Sequence, residues 1–221
     1  MKDSVISLVR KERAILIFRG ISRDRLLDAL KVCSRTGVRM AEITFDAIGK
    51  VSPEETAETI SLVRRTFDGE IEVGAGTVIN VEQAKLAHQA GATYLISPDT
   101  SAAVIRYANE NGLVSMPGAM TPTEISEAYR LGADFVKVFP ADSLGLPFIK
   151  AIRAPLSHIP MLAVGGVDEK NVTDFLKAGL CGVGIGSGIV KKKAIEAGML
   201  DDFEVACRAL KTAIVDFERE A

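Results

Sequence analysis

Short runs rich in Ile, Val, Leu and Phe recur along the chain: Ala14 to Phe18, Met40 to Thr44, Ile71 to Ala75, Tyr94 to Ser97, Leu113 to Met116, Phe135 to Phe139, Met161 to Val164 and Gly182 to Ile185. The stretches between them place apolar residues at helical spacing, so the pattern predicts eight strands alternating with about eight helices. Glycines at Gly37, Gly91, Gly112, Gly132 and Gly179 stand just before strands, where a left-handed cap would end a helix and feed a short loop. Ser22, Ser52-Pro53 and Thr121-Pro122 mark helix starts: a cap oxygen, followed in the last two by a proline at the first helical position. Near-continuous apolar strands are buried on both faces, which calls for a parallel sheet covered by helices. Eight such units in 221 residues fit one domain, residues 1–221, folded as a single α/β (β/α)8 TIM barrel. The open doubly wound alternative lacks support, because the first strand ends Phe18-Arg19-Gly20 with no GxGxxG. The segment from Asp201 to Glu218 is expected to cover the barrel wall as a helix.

Side-chain alternation sorts these strands into faces. Phe135, Lys137 and Phe139 share one face of the sixth strand, and Met40, Glu42 and Thr44 share one face of the second. Val136 and Val138, or Ala41 and Ile43, then pack outward on helices, and Lys137 and Glu42 point to the barrel axis. Arg19 falls on the same side at the end of the first strand. All three are in the C-terminal half of their strands, the end at which barrel active sites are built. A lysine in an apolar strand loses hydration, so its pKa falls and its amine becomes a nucleophile able to form a Schiff base. The competing readings are a lysine at a wet edge, and an internal Lys137–Glu42 salt bridge. Such a bridge is a poor stabiliser, since desolvation can offset the Coulomb attraction. Arg19 suits either anion binding or bracing of a loop.

Composition narrows the chemistry. With 48% hydrophobic residues, 25% charged residues and a formal net charge of -2, the chain has no basic field for nucleic acid or a membrane surface. The N-terminus has no apolar stretch long enough for a signal peptide before Lys11, and no later segment is expected to span a bilayer; a soluble cytoplasmic protein follows as the expectation. Cys33, Cys181 and Cys207 are widely spaced and read as buried thiols. His88 and His158 belong to no ligand-spaced cluster, so neither a metal nor a cofactor is expected. Gly165-Gly166 and Gly186-Ser187-Gly188 follow the seventh and eighth strands. Bare amides there, with a short helix beginning within Ile189 to Lys193, would make a phosphate site. Gly74-Ala75-Gly76-Thr77 adds a hydroxyl after the third strand.

The ordered motifs Ile17-Phe18-Arg19-Gly20, Glu42-Ile43-Thr44, Gly74-Ala75-Gly76-Thr77-Val78, Ser97-Pro98, Pro117-Gly118, Thr121-Pro122-Thr123-Glu124, Lys137-Val138-Phe139-Pro140, Gly165-Gly166 and Gly186-Ser187 resemble the 2-keto-3-deoxy-6-phosphogluconate (KDPG) / 4-hydroxy-2-oxoglutarate aldolase family, including its 2-keto-3-deoxy-6-phosphogalactonate branch. The likeness runs along nearly the whole chain. It implies a class I aldolase cleaving KDPG to pyruvate and D-glyceraldehyde 3-phosphate, with Lys137 as the Schiff-base residue and Glu42 as the proton carrier. It further implies Arg19 and Thr77 near the keto-acid carboxylate, Pro98 and Phe139 lining the pocket, Gly165, Gly166, Gly186 and Ser187 on the phosphate, and a homotrimer. Two departures bear on the substrate. Phe45-Asp46-Ala47 stands where some members carry an arginine, and Val164 stands where gluconate-type members often carry threonine. The galactonate epimer and 4-hydroxy-2-oxoglutarate are therefore the alternative substrates. A noncatalytic phosphosugar-binding barrel and a phosphosugar isomerase using Glu42 are the alternatives outside aldol chemistry.

Overall fold

The computed structural model describes residues 2–220. In chain order the elements are α1 (Lys2–Glu12), β1 (Ala14–Phe18), α2 (Arg23–Thr36), β2 (Met40–Thr44), α3 (Pro53–Thr66), β3 (Glu72–Gly76), α4 (Val81–Gln89), β4 (Tyr94–Ile96), α5 (Ala102–Glu110), β5 (Val114–Met116) and β6 (Gly118–Ala119). There follow α6 (Pro122–Arg130), β7 (Val136–Val138), α7 (Ala141–Arg153), β8 (Met161–Val164), α8 (Val172–Lys177), β9 (Gly182–Ile185), α9 (Lys192–Glu196) and α10 (Asp201–Glu220). All pairings are parallel, in the order β5-β4-β3-β2-β1-β9-β8-β7-β6.

The two ends of that order are halves of one strand. β5 pairs with β4 and β6 with β7, and between them Pro117 has no N–H to give to a ladder. Its carbonyl still accepts from Lys137 N at 2.9 Å, and Ser115 O accepts from Phe135 N at 3.2 Å, so the sheet closes through this interrupted fifth strand. The result is the expected (β/α)8 barrel with its fifth strand split. β1, β2, β8 and β9 occupy the expected residues. β3 begins and ends one residue later than expected, β4 stops at Ile96, and β7 is trimmed to Val136–Val138.

Inward-facing Ile15, Met40, Tyr94, Val114, Met116, Phe135 and Leu162 form the barrel core. The sequence pattern gave no expectation for α1, which closes the N-terminal end of this core. Its Val5 and Val9 are 3% and 1% exposed and join the same cluster. Each contributes about 1.5–3 kcal/mol by burial. Lys2 Nζ pairs with Asp134 at 2.9 Å on the loop before β7, and the Arg10 guanidinium lies 5.5 Å from the Phe135 ring centre. Outward-facing residues such as Leu16, Ala41, Val136 and Val183 pack against the helix layer, where α10 lies on α2 and α8 as a covering helix.

Most end signals behave as their chemistry requires. Ser52 and Thr121 form complete capping boxes with Glu55 and Glu124, and the glycine ending α2, Gly37, is left-handed at φ 79°. Two expectations, those for Ser22 and Cys181, need correction. Ser22 precedes α2 but makes no cap bond: its hydroxyl and N–H both donate to Glu196, at 2.7 and 2.6 Å. The short helix after the eighth strand begins within the expected stretch, at Lys192, once the N–H groups of Ile189 and Val190 have turned back to Gly186 O. Cys33 and Cys207 are buried between helices, whereas Cys181 is only half-buried.

Candidate active site

Lys137 is 8% and Glu42 2% exposed, both inside the C-terminal half of the barrel. Among the described residues they form no ion pair within 4.0 Å, so the internal salt bridge that would make them a structural pair is not formed. The buried Glu42 Oε2 has no hydrogen-bond partner among the described residues. Burial pushes the Lys137 ammonium down from the ordinary lysine value; the Glu42 charge opposes that shift, and Arg19 adds to it. Burial likewise pushes the Glu42 carboxyl up, with the charges of Lys137 and Arg19 working against it. A lysine amine and a carboxyl brought nearer in proton affinity, neither tied up by the other, can exchange protons with a third molecule between them.

Two glycines make room for this pair. Glu42 lies in register with Gly74, and Thr44 with Gly76. A side chain on Gly74 would enter the Tyr94 ring, and one on Gly76 would enter the Glu42 carboxylate. Tyr94 is fully buried, donates from its hydroxyl to Ala41 O at 2.7 Å, and forms the floor beneath Glu42. Tyr94 and Gly76 are thus part of the site although they carry no sequence motif of their own beyond the Gly-Ala-Gly-Thr turn.

The rim holds the remaining expected residues. Arg19 follows β1 and is exposed, so it belongs to the mouth and not to the buried interior. Its Nη2 donates to Thr77 Oγ1 at 3.1 Å. Thr77 is held at φ 56°, a left-handed conformation that is costly for a β-branched residue and aims its hydroxyl at this corner. Phe139 stands over the mouth with its ring centre 4.7 Å from Lys137 Nζ, and Pro98 is exposed after β4. Asp46, where some family members carry arginine, turns to its own loop: its carboxylate accepts from the N–H groups of Ile48, Lys50 and Val51 at 3.1, 2.6 and 3.0 Å, and the Lys50 charge favours it.

Across the mouth the two glycine loops face outward. Gly165 and Gly166 have φ of 103° and 68°, and a side chain on Gly166 would enter Asp142. The Gly166 carbonyl is taken by Asn171 Nδ2 at 2.8 Å and the Ser187 carbonyl by Lys191 Nζ at 2.7 Å. The N–H groups of Gly166 and Ser187 have no acceptor among the described residues, so this corner offers donors without acceptors, as an anion requires.

One cavity had no signal in the sequence. About 490 Å³ of space lies beside the mouth, between the β1–α2 and β2–α3 connections, bordered by Phe18, Arg19, Ile43, Lys50, Thr59 and Lys192 among others. Neither Glu42 nor Lys137 lines it. Among the described residues no group of three or more His, Cys, Asp or Glu side chains is arranged to hold a metal, and no helix is long and apolar enough to cross a membrane.

Residues 5–205 match the family described as KDPG and KHG aldolase. The chain is 34% identical over 211 residues to the probable 2-dehydro-3-deoxy-6-phosphogalactonate aldolase of Rhizobium meliloti, covering 95% of this chain and 96% of that one. It is 28% identical to the 2-dehydro-3-deoxy-phosphogluconate aldolase of Haemophilus influenzae, covering 90% and 92%. Among solved structures, the KDPG aldolase from Legionella pneumophila, with pyruvate captured at low pH as a covalent carbinolamine intermediate, superposes with a TM-score of 0.79. It is 25% identical and the match covers 90% of this chain and 93% of that one. With the family pattern matched over most of its length and a relative more than 30% identical along nearly all of it, this chain belongs to the KDPG and KHG aldolase family.

Proposed function

We propose that the chain acts as one (β/α)8 domain that cleaves a 2-keto-3-deoxy-6-phospho sugar acid, of gluconate type, to pyruvate and D-glyceraldehyde 3-phosphate. The observation that carries the proposal is the buried, mutually unbonded pair of Lys137 and Glu42, one lowered and one raised in proton affinity. The neutral Lys137 amine attacks the C2 carbonyl to give a carbinolamine, and Glu42 supplies the proton with which water leaves. The protonated imine then draws electrons. Glu42 takes the proton of the C4 hydroxyl, the C3–C4 bond breaks, its electrons form the enamine, and the aldehyde departs. Protonation at C3 and hydrolysis release pyruvate and restore the free lysine. Arg19 and Thr77 hold the keto-acid carboxylate, Phe139 and Pro98 border the reacting carbons, and the amides at Gly165, Gly166, Gly186 and Ser187 receive the phosphate. The solved Legionella relative with a pyruvate carbinolamine supports the covalent step.

A second reading, the galactonate epimer, is favoured by two observations: Val164 offers a methyl where gluconate-type members often offer a hydroxyl, and the Rhizobium relative bears the galactonate name. A hydroxyl so lost is worth about 1 kcal/mol. We place the enzyme in the cytoplasm as a homotrimer, on the family resemblance. Incubation with pyruvate and borohydride should add a stable mass to the peptide carrying Lys137; a folded sample with no adduct would refute Schiff-base chemistry. Pyruvate release measured side by side on the two epimers decides between the substrates.

A further inference from the structure

We propose that the cavity between the β1–α2 and β2–α3 connections is a second ligand site, one that takes a small carboxylate carrying an aromatic or branched apolar body. Its volume of about 490 Å³ is that of a small-molecule site. It lies beside the barrel lumen and meets the mouth at Arg19 and Thr44, while its body is set behind the outward faces of the first two strands. Phe18 and Ile43 belong to the outward faces of β1 and β2, opposite Ile17 and Glu42, and they meet Ile21 and Leu26 to make an apolar floor under the helix layer. The hydroxyls of Thr44, Thr56 and Thr59, which also line the cavity, already donate to the carbonyls of Phe18, Ser52 and Glu55, so the floor suits a ring or branched alkyl group better than a sugar chain.

The charge lies at the rim. Lys50, on the β2–α3 connection, and Lys192, at the first turn of α9, both border the opening, and among the described residues neither makes an ion pair within 4.0 Å or a side-chain hydrogen bond. Arg19 borders the same opening. Asp46 and Glu196 attract Lys50 and Lys192 electrostatically but leave both ammonium groups without a hydrogen-bond acceptor among the described residues. Asp46 gives its carboxylate to three N–H groups of its own loop, and Glu196, one turn after Lys192, gives both oxygens to Ser22. Two cations from different loops above an apolar floor present a carboxylate with its partners and its body with a dry surface, which is the usual balance of a small-molecule pocket. Inorganic phosphate alone would find the cations but waste the floor.

3-Phenylpropionate is the probe, since it has no keto group and cannot form an imine at Lys137. Calorimetric titration of the full chain should show one site, unaffected by inorganic phosphate at the same concentration. Ala47→Phe fills the cavity from an exposed lining position, and Lys50→Glu reverses the rim charge. Each should weaken binding at least about tenfold while leaving pyruvate release from the phosphorylated substrate unchanged. Protein whose Lys137 has been blocked with pyruvate and borohydride should bind the probe as before. The proposal falls if the probe does not bind, if both variants bind it as the parent does, if phosphate displaces it, or if blocking Lys137 abolishes binding. Failure of the adduct to form would count against the aldolase reading alone, and the titrations of untreated protein would still decide the cavity.

Discussion

Replacing Gly76 by alanine puts one methyl group into the space held by the Glu42 carboxylate. The backbone tolerates the change, because Gly76 is not among the left-handed glycines, so the whole effect is steric. Glu42 is 2% exposed and the neighbouring Tyr94 is fully buried, so the carboxylate has little room to yield. Overpacking of this kind costs about 1–3 kcal/mol. For a chain of this size each kcal/mol lowers the melting temperature by about 2–4 °C, so Gly76→Ala should remain folded at 25 °C. The catalytic cost is larger. A carboxylate displaced by about 1 Å no longer meets the hydroxyl it must deprotonate, which is worth about a hundredfold, or about 2.7 kcal/mol of barrier. We expect kcat for pyruvate release, followed with lactate dehydrogenase and NADH, to fall by about that factor. KM should change far less, because the groups assigned to carboxylate and phosphate stand at the rim. A folded Gly76→Ala enzyme with kcat within about threefold of the parent would refute the reasoning, since it would mean that the position of Glu42 does not matter to the proton transfer.

The electrostatics give two more outcomes. The Glu42 charge holds the Lys137 ammonium up against burial, so Glu42→Gln should let the amine titrate lower still. Borohydride trapping of pyruvate against pH should then show its acid limb at lower pH than in the parent, however slow the reaction; an acid limb moved upward would contradict the assignment. The same lowered value affects stability. Between the folded lysine value and the ordinary 10.5, the unfolded chain holds a proton that the folded chain has lost. Stability contributed by this group therefore rises with pH across that window and is lost below it. Lys137→Met should remove the rise in denaturant midpoints while abolishing the adduct, and a persistent slope would place the titration elsewhere.

Side-chain alternation was enough to aim Lys137 and Glu42 inward, because a period-2 pattern with outward Val136, Val138, Ala41 and Ile43 leaves no other face for them. Four strands and the glycine-ended helices were legible for the same reason: their signals are local. What escaped depends on partners distant in sequence. Lys2 to Glu12 has an amphipathic pattern that says helix only once the barrel floor exists to receive Val5 and Val9. The fifth apolar run stops at Met116, and nothing local says that Gly118–Ala119, beyond Pro117, takes up the ladder again against β7. Ser22 has a good cap oxygen, and Glu196, 174 residues away, outcompetes the backbone for it. The cavity beside Arg19 escaped because the Asp46 loop that walls it is set by three hydrogen bonds to one carboxylate, and the residues read there as a missing arginine.

The closed floor under the barrel governs the order of events. With α1 sealing the N-terminal end, Lys137 is reached from the C-terminal mouth of the barrel. On the proposed mechanism the pyruvate half is tethered to the lysine and lies deeper than the aldehyde half, so the fragment that is last across the threshold in the substrate must be first out. Aldehyde release should then precede pyruvate release, and in the reverse direction pyruvate should have to be seated before any aldehyde can usefully enter. Free aldehyde arriving early occupies the mouth and obstructs the keto acid behind it, so the synthetic reaction should slow at high aldehyde concentration while added pyruvate relieves the block.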